Sequence, residues 1–295
     1  MLSVCIPVFN NDITKLVHDL QLQFPAEAEI ILIDDCSDDS FKTQYRNLQN
    51  EKIRVVLLNE NIGRARIRNL FLKFAQYDNL LFLDSDSMIV QSDFLKKYIK
   101  CIQNNYAVVC GGRIYSTKIE DKKYLLHWKY GVTRESKTEG VRNLQPYRSF
   151  MTNNFMIQKK VFQQIHFNDK LTGYGHEDTL IGFELMKAGI RIEHINNPVL
   201  HGQLETNKEF LEKTKSSISN LLLILKEVDN DPDFINNVSL LKTFFHFRKK
   251  GLYPILYILS PLFIPIVTFI IRSGFINLRL FDLYKLLVLS RMYSK

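Results

Sequence analysis

Five apolar runs in the first 110 residues, each separated from the next by a helix-length amphipathic segment, constrain this chain most. The runs cover residues 2–8, 29–33, 53–58, 79–83 and 106–110; the segments between them cover 13–22, 41–49, 65–75 and 93–103. Strands alternating with helices at this spacing predict βαβ units and an α/β fold with a mostly parallel, doubly wound sheet. Ligands on such sheets bind beyond the carboxyl ends of the strands. Here those ends are the polar segments Phe9-Asn10-Asn11, Asp34-Asp35-Cys36-Ser37, 59–63 and Asp84-Ser85-Asp86.

The last of these ends is chemically the most telling. Leu80-Leu81-Phe82-Leu83 runs into Asp84-Ser85-Asp86. Two carboxylates spaced i, i+2 after a buried strand point the same way at a sheet edge. Hard divalent cations take such oxygen ligands, and a cation placed there can neutralise a diphosphate. Two more Asp-x-Asp triplets, Asp229/Asp231 and Asp231/Asp233, share an Asn-Asp-Pro-Asp segment that reads as a solvated inter-helix turn. A calcium loop there would need a glycine after the third acid and a later glutamate, and Phe234 and Leu240 stand at those places. A second acidic motif, Gly173-Tyr174-Gly175-His176-Glu177-Asp178, opens a helix that runs through Ala188 to Gly189.

Composition is that of an ordered globular chain, with 46% hydrophobic and 24% charged residues in 295. Cys5, Cys36, Cys101 and Cys110 form no C-x-x-C pair, which argues against a zinc site or a disulfide framework. Met1 leads straight into a strand-like run without a basic n-region, so the amino-terminal part is expected in the cytoplasm. Nine of the 39 Lys and Arg lie between Lys242 and Lys295, against one acid of 31, Asp282; thirty of each sign remain in the first 241 residues. The net charge of +8 is therefore a property of the tail, which implies a partner for the tail.

Residues 111–148 are less regular and read as acceptor-facing. Residues 152–157 and 190–195 read as strands, 159–165 as a short helix and 207–227 as a longer one. Residues 252–271 then carry no charge and are long enough to cross a bilayer, but Pro254, Pro261 and Pro265 argue against a straight span. Residues 277–292 set Leu278, Phe281, Leu286 and Leu289 against Arg279, Lys285 and Arg291, the pattern of a basic helix lying on an anionic leaflet. Spanning, re-entrant and interfacial placements of 252–271 stay open, as does a buried soluble hairpin. Basic residues interleaved with leucines do not suit nucleic acid.

Read in order, Ser3 to Asn10, Ile31 to Asp38, Asn59 to Asn69 and Asp84 to Asp86 resemble the inverting family 2 glycosyltransferases, which have the GT-A fold. The resemblance covers about residues 1–215. It implies a glycosyltransferase domain over 1–215, with a nucleotide-binding half at 1–110 and an acceptor and catalytic half at 111–215, followed by a helical region at 216–295. The motif at Gly173 is similar to the Gly-Trp-Gly-x-Glu-Asp segment of galactosyl- and N-acetylhexosaminyl-transferases, with Tyr174 in place of tryptophan and Leu180 in place of an acid.

The resemblance implies roles residue by residue. Asp35, with Asp34 as its alternate, is expected to accept from uracil, with Pro7 and Phe9 lining that pocket. Arg68 is expected to face the diphosphate, and Asp84 and Ser85 to lie near the ribose or sugar. Asp86 is expected to hold Mn²⁺ or Mg²⁺, with His201 completing the metal shell. Asp178 is the expected general base and Glu177 a partner for donor or acceptor hydroxyls. The implied donor is a UDP-sugar and the implied acceptor a glycan or lipid-linked glycan, with the tail on the cytoplasmic face of the cell membrane.

Plainer readings compete. Asp34, Asp35, Asp38 and Asp39 could form a turn and cap the next helix. Arg64 and Arg66 suit a solvated helix face, Glu177 suits a helix first turn, and His176 and His194 suit structural roles. Trp128 and its neighbouring tyrosines could stack on a sugar or simply pack. A nucleotidyltransferase on a similar sheet is the alternative function, although Pro7 to Asn11 lacks the glycine-rich loop it would need. A non-catalytic, membrane-associated relic is the third.

Overall fold

The computed structural model describes residues 1–171 and 173–293. Ten strands are present among them: β1 (Leu2–Val8), β2 (Ala28–Asp34), β3 (Ile53–Leu57), β4 (Asn79–Leu83), β5 (Ser87–Ile89), β6 (Val108–Cys110), β7 (Arg113–Ile114), β8 (Asn154–Gln158), β9 (Ile192–His194) and β10 (Val199–His201). Seven form a mixed sheet in the order β3-β2-β1-β4-β8-β6-β9. All its pairs are parallel except those of β8, which runs antiparallel to both neighbours. This is the expected α/β architecture, and its first four strands fall within a residue of their predicted places.

Every residue of β2 and β4 is buried, because helices cover both sheet faces and leave no solvated side to alternate toward. Leu81 and Leu83 point into one core, with Ile6, Leu32 and Phe94. Phe82 points into the other, stacked on Phe155 at 5.0 Å and edge-on to Phe71 at 5.6 Å. Burying a phenylalanine this fully contributes ~2–3 kcal/mol. The sequence did not reveal β5, β7 and β10, each two or three residues long. They form a separate sheet in the order β5-β10-β7.

The chain divides into two compact units. The first contains Met1–Tyr115, Ser136–Thr172 and Ile181–Gln203, and the second Ser116–Glu135, Gly173–Leu180 and Leu204–Lys295. Helices dominate the second. Helix Asn207–Glu227 begins at a reciprocal cap, in which Thr206 and Glu209 each satisfy the other's backbone N–H. Asp231 caps Pro232–Asn237 by accepting from the Asp233 and Phe234 N–H groups, so the Asn-Asp-Pro-Asp turn is a helix start. Ser239–Lys249, Tyr253–Arg272 and Leu278–Tyr293 follow.

The last helix corrects one expectation. Phe281, Tyr284, Leu286, Leu287, Val288, Leu289 and Ser290 are all buried, so it is an inner element of the bundle and not a surface helix. Tyr253–Arg272 packs on it and is the exposed member of the pair. The leucines that gave the last helix its amphipathic pattern contact other helices instead of lipid.

Candidate active site

In the first unit, β2, β1 and β4 are neighbours, so the segments after them lie side by side. Phe9, 51% exposed after β1, is an aromatic surface free to stack on a base. Pro7 is half-buried in β1. Asp34 is fully buried; it accepts from the Ser37 N–H at 3.1 and 3.2 Å and from the Ser37 hydroxyl. Asp35 accepts from the N–H groups of Ile62 (2.7 Å) and Gly63 (3.1 Å), and so ties the β3 loop to β2. Both aspartates thus hold loops in place, and each Asp35 oxygen keeps a lone pair for a further donor.

The structure brings Asp84 and Arg68 together: Arg68 Nη2 donates to Asp84 Oδ1 at 2.6 Å. Arg68 is 7% exposed and lies over the Phe167 ring at 5.3 Å. Arg113, which the sequence reading missed, stands 3.8 Å from the other Asp84 oxygen. Its signal was Gly111-Gly112-Arg113 straight after an apolar strand. Asp84 is therefore flanked by two guanidinium groups, a donor type suited to phosphate. Ser85 Oγ accepts from Asn11 Nδ2 at 3.2 Å.

The small sheet assembles the rest. His201 pairs with Ser87, which places its Nδ1 3.0 Å from Asp86 Oδ2. The edge of Tyr115 packs on the His201 ring, and Arg113 donates to the Tyr115 hydroxyl at 3.3 Å. Burial pushes the Asp86 carboxyl up, but the hydrogen bond and charge of His201, helped by Arg113, outweigh it and hold the group below the usual carboxylate range. Among the described residues no three His, Cys, Asp or Glu side chains converge as a metal cluster. Asp86 and His201 offer one oxygen and one nitrogen donor, a pair Mn²⁺ accepts well and Mg²⁺ less readily.

In the second unit, Gly175 and His176 take left-handed backbone angles, φ +90° and +69°, and turn the chain into helix Glu177–Lys187. Asp178 accepts from the Thr179 N–H at 2.7 Å. Burial, with Glu177 and Glu135 adding like charge, raises its pKa to about 6. Burial and Lys285 lower that of His176 to about 4, so this imidazole is neutral, with its Nδ1 3.0 Å from the Thr179 hydroxyl. Trp128 Nε1 donates to the Ser116 carbonyl at 2.7 Å.

His194, in the first unit, is also structural, held between Arg142 and the Pro146 carbonyl.

Residues 3–168 match the family described as glycosyl transferase family 2. The chain is 27% identical over 270 residues to the uncharacterized glycosyltransferase YfnE of Bacillus subtilis, covering 74% of this chain and 68% of YfnE. It is 38% identical over 94 residues to the poly(ribitol-phosphate) beta-N-acetylglucosaminyltransferase TarS of Staphylococcus aureus, but those cover 30% of this chain and 16% of TarS. A crystal structure of S. aureus TarS 1–349 with UDP superposes with a TM-score of 0.50 at 19% identity, over 100% of this chain and 92% of that one. The mannosyltransferase PcManGT of Pyrobaculum calidifontis, with GDP-Man and Mn²⁺, gives 0.61 at 10% identity, over 99% and 86%. These likenesses carry the GT-A fold, and with more than half of its length matched by the family the chain belongs to glycosyl transferase family 2 and is a glycosyltransferase.

Proposed function

We propose that this protein is a metal-dependent, inverting transferase that moves a sugar from a UDP-sugar to a glycan or lipid-linked acceptor in cell-surface polysaccharide assembly. The observation that carries the reading is the cluster around the end of β4, where Asp84 sits between Arg68 and Arg113 and Asp86 sits against His201. TarS, whose structure holds UDP and whose name places it on poly(ribitol-phosphate), supports the donor and the setting.

Asp86 and His201 would hold Mn²⁺ or Mg²⁺, which when bound neutralises charge on the departing diphosphate. Phe9 stacks on the uracil, and Asp35 takes a hydrogen bond from it. Arg68 and Arg113 bind the diphosphate. Asp178 takes the acceptor hydroxyl's proton. The new bond forms from that oxygen to the anomeric carbon as the bond to diphosphate breaks, through an oxocarbenium-like state. A base with a pKa of about 6 is ionised at neutral pH yet more basic than an ordinary aspartate. Glu177 hydrogen-bonds donor or acceptor hydroxyls.

The domain serves at the cytoplasmic face of the cell membrane, held there by the second unit. Ile255, Ile258, Leu262, Ile266 and Phe269 are exposed along one stripe of helix Tyr253–Arg272. Monomeric soluble proteins rarely leave such a stripe open.

The test is UDP release from a panel of UDP-sugars, with Mn²⁺ or with chelator. Release from one donor that chelator and Asp86→Ala both abolish supports the reading. Release that persists in chelator removes the metal, and absence of both release and binding for every donor removes the transfer from UDP-sugars.

A further inference from the structure

Asn153 and Asn154 are adjacent, both buried, and opposite in their bonding. Asn154 is fully used: its Oδ1 accepts from the Tyr98 hydroxyl at 2.6 Å, and its Nδ2 donates to the carbonyls of Gly112 (3.0 Å) and Asn197 (2.8 Å). Asn153 is 3% exposed, and neither its Oδ1 nor its Nδ2 has a partner among the described residues. Buried side-chain amides are ordinarily satisfied, and one left open at both ends calls for an explanation.

Its position supplies one. The β4–β8 ladder pairs Phe82 with Phe155 and Leu83 with Asn154, and the Asp84 N–H donates to the Asn153 carbonyl at 3.0 Å. Asn153 is therefore the cross-strand neighbour of Asp84. Directly opposed residues project to one face of a sheet. By strand alternation that face also carries Phe82, against which Phe71 packs. Arg68 lies one helical turn before Phe71 and reaches Asp84 from the same side. Arg68 Nε is likewise buried and without a partner. An open donor, an open acceptor and a second open donor thus gather beside Asp84.

We propose that Asn153 binds a hydroxyl group of the sugar being transferred and so helps select the donor. A hydroxyl both donates and accepts, and can satisfy either end of the amide, whichever way it is turned. A phosphate oxygen only accepts and would leave Asn153 Oδ1 open; the guanidinium groups around Asp84 suit the diphosphate instead. This inference rests on the UDP-sugar reading above and assigns part of that donor to a residue the reading does not use.

The experiment compares Asn153→Leu with the intact wild-type chain. Leucine keeps the approximate shape and removes both open polar atoms. Binding of UDP alone, and of UDP-glucose, UDP-galactose and their 2-acetamido counterparts, is measured by calorimetry with Mn²⁺. Unfolding is followed without ligand. We expect UDP affinity within about twofold of wild type and affinity for the preferred intact donor to fall about tenfold or more. The ligand-free melting temperature should stay level or rise, since an unsatisfied buried amide is replaced by an apolar group. Equal donor affinity in both proteins overturns the proposal. Asn153→Ala, which removes both polar ends without adding volume, carries the same binding comparison if the leucine variant does not fold. A wild type that binds no UDP-sugar overturns the donor reading itself, an outcome visible before any variant is made.

Discussion

Asp86 and His201, far apart in sequence, meet at 3.0 Å because β5 and β10 pair in a register that sets His201 against Ser87. Gly202 locks that register. Its N–H donates to the Asp86 carbonyl at 3.0 Å, and a Cβ there would come within 2.7 Å of the same oxygen. Any larger residue must push β10 off β5. Gly202→Val should therefore act like His201→Ala. Both should raise the Mn²⁺ concentration for half-maximal UDP release by at least about tenfold, the least that loss of an outer partner of a metal site costs. A metal titration of UDP release checks this. An unchanged Mn²⁺ requirement in His201→Ala would remove His201 from the metal.

Asp178 predicts an activity limb and a stability effect of opposite sign. As a base it works only when ionised, so the acid limb of the rate profile should fall with an apparent pKa near 6. Asp178→Asn should lose about a hundredfold or more in transfer. The same substitution should stabilise the fold at neutral pH. The folded pKa of about 6 lies above the ordinary 3.8, so the folded state prefers the protonated acid and loses that advantage as pH rises through 6. Removing the charge recovers up to ~3 kcal/mol above pH 6 and nothing below about pH 4. Glu177 and Glu135 face the same carboxyl and add to the effect. Urea unfolding of both proteins at pH 4 and pH 7.5 checks it.

A different cation holds the frame. Arg142 is 3% exposed and donates to four carbonyls, those of Lys137, Cys110, Gly111 and Ile195, while its Nη1 also meets His194 Nδ1. Gly112, at φ +93°, leaves the space it occupies; a Cβ there would lie 2.7 Å from the guanidinium carbon. Arg142→Met should leave those acceptors unsatisfied and cost ~3–5 kcal/mol. Chemical denaturation checks this, and a loss below 1 kcal/mol would mean water replaces the guanidinium.

How much of this was legible follows from where the information lies. The strands ending at Val8, Asp34 and Leu83 are long apolar runs bounded by polar turns, and local pattern alone marks them. Asp84 and Asp86 were singled out because they follow such a boundary, and Arg68, inside helix Arg64–Phe74, because it matches the motif of the family the chain resembles. Arg113, Asn153 and Gly202 were not, because their placement depends on two- and three-residue strands and on pairing with distant segments. Nothing in a window around Asn153 distinguishes it from Asn154. The last helix was misjudged for a related reason: a leucine stripe looks the same whether lipid or another helix covers it.

Helix Tyr253–Arg272 now bears the membrane prediction, and its two faces decide its geometry. Ile255, Ile258, Leu262, Ile266 and Phe269 follow i, i+3, i+7, i+11, i+14 and form one stripe, with Ile258 70% and Phe269 74% exposed. Ser260, Val267 and Ile271 lie on the opposite side and are buried against the bundle. A spanning helix would have to carry its partner Leu278–Tyr293 into hydrocarbon, with Asp282, Lys285 and Arg291 on it. Pro261 removes the N–H that would reach the Tyr257 carbonyl, and the Ser260 hydroxyl satisfies that carbonyl at 2.7 Å, on the protein side. The arrangement suits a helix lying in the plane of the interface, with Lys249, Lys250, Arg272 and Arg279 near the headgroups. The variant Ile258→Glu/Leu262→Glu/Phe269→Glu should stay folded, since all three side chains already meet solvent, and lose most binding to vesicles containing one-third anionic lipid. Wild-type binding should weaken with salt and with neutral vesicles. Alkaline carbonate should strip the wild type from membranes; resistance to it would mean that the helix spans.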